Sequence, residues 1–180
     1  MCLSVLINET ISHTRVGSSY SEENDRGCRS ILGMDTHADV SCAGKDTHII
    51  SRIAGRTWKV RGFHDSYNSI NDVSYINVLS KYQDEDGQKC LLQLNQALDF
   101  TKIMTNSILC TNQDCRNGML INDVPKIINH SLPQCIIFLE NGINIPLLMR
   151  GPIPVFPVLR PSDDGLEILS RLQLTSDEIS

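Results

Sequence analysis

Hydrophobic positions along this chain fall into short runs and two-residue alternations, the period of strands rather than of helices. The apolar run Ile31-Leu32-Gly33-Met34 feeds Asp35-Thr36 and then a small-residue turn reaching Cys42-Ala43-Gly44. A strand there delivers a carboxylate to a loop at a sheet edge. Residues 46–53 read as a strand ending at Ala54-Gly55, and residues 57–63 alternate as a second strand. Polar residues 64–69 form a turn, and residues 73–79 return as a third strand, so a hairpin with a polar tip is predicted. Another hairpin is predicted at residues 84–88, because the glycine of Asp86-Gly87 takes positive φ at little cost; residues 89–94 are its outgoing strand. Residues 96–100 fit a strand or a loop equally.

Towards the C-terminal end, residues 135–139 and 143–149 flank Glu140-Asn141-Gly142, again a hairpin pattern. Pro152, Pro154, Pro157 and Pro161 then argue against a central strand and for an extended connector. Ser162-Asp163-Asp164 is suited to cap a short helix over residues 166–172. Residues 8–30 keep no period of 2 or 3.6 and read as a polar, flexible leader. No internal repeat is visible.

Composition narrows the classes. A chain of 180 residues can hold one domain with a proper core and an appendage. The formal charge is −5, with acids and bases interleaved, which is not the clustered basic face of a nucleic-acid binder. No apolar run is long enough to span a bilayer, and the apolar start Met1–Ile7 lacks the basic residues of a signal peptide. The seven cysteines are odd in number and scattered, without a Cys-x-x-Cys pair or a matching His cluster. They read as reduced, mostly buried thiols of a cytoplasmic protein with no metal and no cofactor.

The candidate chemistry lies in Asp35-Thr36-His37-Ala38-Asp39. This block resembles the active-site loop of the retropepsins, the aspartic proteases of retroviruses and LTR retrotransposons, whose signature is an apolar run followed by Asp–Thr/Ser–Gly–Ala–Asp. His37 replaces the Gly, a variant similar to one in a subgroup of copia-type retrotransposon polyproteins. A second block, residues 107–123, resembles the other landmark of that family, an apolar strand into Gly, a short helix, a second Gly and a closing strand. In this chain Ile108-Leu109 stands for the strand, residues 111–117 for the helix, Gly118 for its C-terminal cap and Leu120-Ile121 for the closing strand. Cys110 occupies the first Gly position.

The resemblance implies an all-β acid-protease fold over residues 31–127, a closed or partly closed barrel with a flap hairpin and one short helix. A leader over residues 1–30 and a β-rich extension over residues 128–180 complete the expected organisation. It also implies a function: an aspartic endopeptidase maturing a polyprotein, with an extended peptide as substrate. Two carboxylates must share one proton around a water in such an enzyme, and this chain offers one Asp-Thr block. The resemblance therefore implies a homodimer, Asp35 coming from each protomer. Thr36 is implied to bond across the axis, Ala38 to fit the crowded turn, and His37, Ala38 and Asp39 to meet the substrate.

His37 and Cys110 in glycine positions favour an alternative of another class, an inactive binding or dimerisation module that keeps the fold. Asp35-x-His37 also begins the metal-binding motif of phosphoesterases, but the Gly-Asp-x-x-Asp and Gly-Asn-His blocks such enzymes need are absent from the sequence.

Overall fold

A computed structural model describes residues 30–60, 68–124, 128, 131 and 133–176. The leader expected over residues 1–30 lies outside them, apart from Ser30, as do residues 61–67 of the hairpin tip.

In chain order the elements are β1 (Ser30–Asp35), β2 (Cys42–Ala43), β3 (His48–Val60), β4 (Ile70–Gln83), β5 (Lys89–Asp99), β6 (Ser107–Cys110), α1 (Thr111–Arg116), β7 (Met119–Asn122), β8 (Cys135–Phe138), β9 (Asn144–Pro146), β10 (Leu148–Arg150), β11 (Ile153–Val158), α2 (Gly165–Ile168) and β12 (Arg171–Gln173). The protein is all-β in class. A nine-stranded sheet runs β10-β11-β1-β6-β2-β5-β4-β3, with β12 attached to β5, and β7-β8-β9 form a second sheet.

Alternation along β1 explains its place. Leu32 and Met34 point into the core, while Ile31, Gly33 and Asp35 are half-buried on the opposite face. β6 pairs parallel to β1, Gly33 opposite Ile108 and Asp35 opposite Cys110. β2 is only two residues long, yet Cys42 pairs with Ile108 of β6 and with Leu98 of β5, joining the two halves of the sheet. The main core gathers Leu32, Met34, Ile76, Leu92, Leu94, Leu109 and Phe156, together with Met119, Ile136, Phe138 and Ile145 from the small sheet. A second cluster packs Cys42, Val73, Leu98, Phe100 and Met104, with Val40, Val60, Tyr75 and Ile108 against it.

The turns behave as their residues dictate. Gly87 has φ of 84°, and its N–H reaches the Asp84 carbonyl at 3.2 Å. Gly142 has φ of 71° and closes the β8–β9 hairpin on Phe138.

Four expectations are corrected. The two strands expected over residues 46–53 and 57–63 are, as far as residue 60, not separate at Gly55. β3 runs through that point as one strand, because register shifts between Arg52 and Thr57 absorb the irregularity and Gly55 takes φ of 78°. The proline-rich stretch is not a connector: β11 pairs with β1 on one side and β10 on the other. β10 reaches only to Val155, so at Pro157 the strand has β1 alone as neighbour. The helix expected over residues 166–172 shrinks to the four residues of α2, after which β12 pairs parallel to β5. Of the closed or partly closed barrel expected, the closed form is absent among the described residues, since the strand path ends at β10 and β3. The nearest approach to closure is one bridge, in which Lys81 of β4 and Leu159 exchange backbone hydrogen bonds at 2.8 Å each.

The ambiguous residues 96–100 mostly extend β5, with Gln96 at φ of 55° beside a register shift. No helix among the described residues is long and apolar enough to cross a membrane.

Candidate functional site

Asp35 is the last residue of β1, and the loop it enters is folded back on it. The His37 N–H donates to Asp35 Oδ1 at 2.8 Å and the Ala38 N–H to the Asp35 carbonyl at 3.4 Å. This is the turn an aspartate makes with the backbone two residues on. Thr36, His37 and Asp39 are exposed, whereas Ala38 is buried. Among the described non-glycine residues only Asp72 and Gln96 have positive φ, so His37 sits in ordinary backbone and the loop does not require glycine there.

Parallel pairing of β1 with β6 brings the two sequence blocks together. Cys110 ends β6 directly opposite Asp35, and its thiol donates to the Ala38 carbonyl at 2.9 Å. Its backbone is extended, φ −81° and ψ 103°, so this position does not require glycine either. From α1, the Asn112 side-chain amide donates to the Thr36 carbonyl at 3.3 Å. Gln113 Oε1 accepts from both the N–H and the hydroxyl of Ser41 at 2.9 Å, and Ser41 Oγ in turn accepts the Cys110 N–H at 3.0 Å. Ser41 is fully buried, so each of these bonds replaces one that water would otherwise supply. The loop from Asp35 to Ser41 is thus held at both ends by the first half of α1.

Ser41, Asn112 and Gln113 were not singled out by the sequence. Their bonds join residues 69–76 positions apart, and no local pattern carries them.

A second brace lies just beyond β2. Gly44 N–H donates to Ser107 Oγ at 2.8 Å, and that hydroxyl donates to Asp46 Oδ1 at 2.7 Å. Burial raises the Asp46 carboxyl, opposed by its hydrogen bonds with Ser107 and the backbone.

The thiols around the loop are poor nucleophiles. Burial, then the neighbouring Asp35 and Cys110, push Cys42 up to about 12. Burial also raises Cys110. Both stay protonated near neutrality, so neither supplies a thiolate beside Asp35. Among the described residues, no three His, Cys, Asp or Glu side chains converge to hold a metal ion.

The outer part of the β3–β4 hairpin packs beside the same loop. Val60, Val73 and Tyr75 of its outer part share the second cluster with Val40 and Cys42. Trp58 packs edge-on against Tyr75, ring centroids 5.8 Å apart, while most of β3 from Ser51 to Lys59 is exposed. One chain therefore offers two carboxylates on a braced loop, Asp35 at its start and exposed Asp39 further along, with an exposed hairpin arm next to it. No protein-family model, curated protein or solved structure matches the chain.

Proposed function

We propose that the chain is a retropepsin-like aspartic endopeptidase that processes a polyprotein of copia type and acts as a homodimer. The observation that carries the reading is the parallel pairing of β1 with β6, which sets Asp35 opposite the residue that leads into α1. The arm formed by β3 and β4 fits the part of a flap, because its Val73 and Tyr75 pack in the cluster that also holds Cys42.

On this reading two Asp35 carboxyls meet on a twofold axis and share a proton around one water. Like charges so close cannot both ionise. One carboxylate takes the water's proton as the water attacks the peptide carbonyl, and the other, protonated, donates to the carbonyl oxygen. Thr36 holds the paired loops across the axis, and His37, Ala38 and Asp39 meet an extended peptide that lies strand-like beneath the flaps.

A second reading has its own support. Asp35 Oδ1 already accepts the His37 N–H, as a purely structural turn carboxylate would. In that case the domain binds or dimerises without cutting.

Cleavage of a longer precursor spanning this domain separates the two. Processing should vanish with Asp35→Asn and with a pepstatin-like inhibitor, and persist in EDTA. A folded dimer that cuts no peptide library across about pH 4–8 leaves the binding module. Loss of processing in EDTA alone would replace the carboxylate pair by a metal site.

A further inference from the structure

We propose that Asp114, in its neutral form, is a positioning residue for the Asp35 loop, so that the site assembles in acid and loosens when this carboxyl ionises. The inference rests on the acid-protease reading and names how that site is regulated.

Asp114 lies in the middle of α1 with no exposed surface, and neither carboxyl oxygen has a hydrogen-bond partner. α1 is only six residues long, so its seating has few contacts in reserve. The residues just before Asp114 are the ones that hold the loop: Asn112 on the Thr36 carbonyl and Gln113 on Ser41. Whatever unseats Asp114 pulls on both.

The helix packs on β6 and β7. From the β6 side the Cys110 thiol feels Asp114 and Asp39; on the helix the Cys115 thiol feels Asp114 and Asp123. β7 carries no ionisable side chain. Arg116, the base in the last turn, is exposed, and the described residues give it no ion pair. Neither Arg116 nor His37, the bases on this helix and on the loop it holds, is bonded to Asp114, whose carboxyl oxygens have no partner, so an ionised Asp114 would be an uncompensated buried charge. Burial accordingly raises its pKa well above the ordinary 3.8.

The sign follows from linkage. The folded chain holds this proton more tightly than the unfolded chain, so the stabilisation is complete below the ordinary carboxylate value. It is lost as pH rises towards and through the folded value. Asp46, also raised, contributes in the same direction but is common to any comparison at position 114.

The test compares the full chain with Asp114→Asn, a neutral isostere, by denaturant unfolding and by amide exchange of residues 36–41 over a pH series. Relative to the variant, the wild-type ratio of folded to unfolded protein should fall about tenfold for each pH unit between the unfolded and folded pKa values. Protection of the loop amides, corrected for the intrinsic rise of exchange with pH, should fall more in the wild type than in the variant, and any cleavage by the variant should extend to higher pH. Parallel pH curves would overturn the proposal. Should Asp114→Asn not fold, carbon-detected titration of the wild-type Asp114 carboxyl decides instead. A carboxyl that ionises at the ordinary value overturns the proposal, and one that stays protonated well above it supports it. None of these stability readouts needs cleavage. Diverging curves without activity would sink the protease reading alone, and parallel curves in an active enzyme would sink the role of Asp114 alone.

Discussion

Cys110 and His37 stand where the retropepsin pattern has glycine, and at neither residue does the backbone call for glycine. The Cys110 side chain does work of its own on the Ala38 carbonyl. His37 contributes its N–H, which any residue but proline would supply. His37→Gly should therefore leave stability within about 1 kcal/mol, a denaturant-melt difference set by glycine's extra freedom in the unfolded chain. Gln113→Ala is the opposite case. It strands the N–H and hydroxyl of buried Ser41 and should destabilise the fold by about 1–3 kcal/mol in the same experiment. That Asp35 to Asp39 enter a turn at the end of a strand was legible because they form one contiguous motif. Ser41, Asn112 and Gln113 were not, because their role exists only once β6 lies beside β1.

Elements whose signals are local were legible for the same reason. The turns at Gly87 and Gly142 each follow from a glycine that has to take positive φ. Three elements escaped because long-range pairing overrode the local signal. Gly55 reads as a strand end, yet β3 continues through it against β4. Prolines 154 and 157 read as breakers, yet β11 lies against β1. The Leu-rich stretch after Gly165 reads as helix, yet Leu172 and Leu174 are buried beside β5. One glycine is required by space rather than by φ. A Cβ at Gly44 would lie 2.6 Å from the Asn106 carbonyl oxygen and 2.7 Å from its carbon, both backbone. Gly44→Ala must shift the turn between β2 and β3, with a predicted loss of about 1–3 kcal/mol and a lowered Tm.

At the scale of the whole molecule, three strands beyond residue 127, β10, β11 and β12, share a sheet with Asp35. β11 covers the outer edge of β1, and Phe156 is fully buried in the main core. Further on, Thr175 is tied to buried Asn95 by three hydrogen bonds of 2.7–2.9 Å. A chain truncated after residue 127 should fail to fold cooperatively, read as the loss of a sharp thermal transition in circular dichroism; a truncated chain with a full native transition would show that the later strands are dispensable. The proposed homodimer belongs to this scale too, because one chain supplies one Asp35. Titration of the folded protein with a tight pepstatin-like inhibitor tests that most directly. The account predicts saturation at one inhibitor per two chains, abolished by Asp35→Asn. Saturation at one per chain, or no binding by a protein shown to be folded and dimeric, would contradict it.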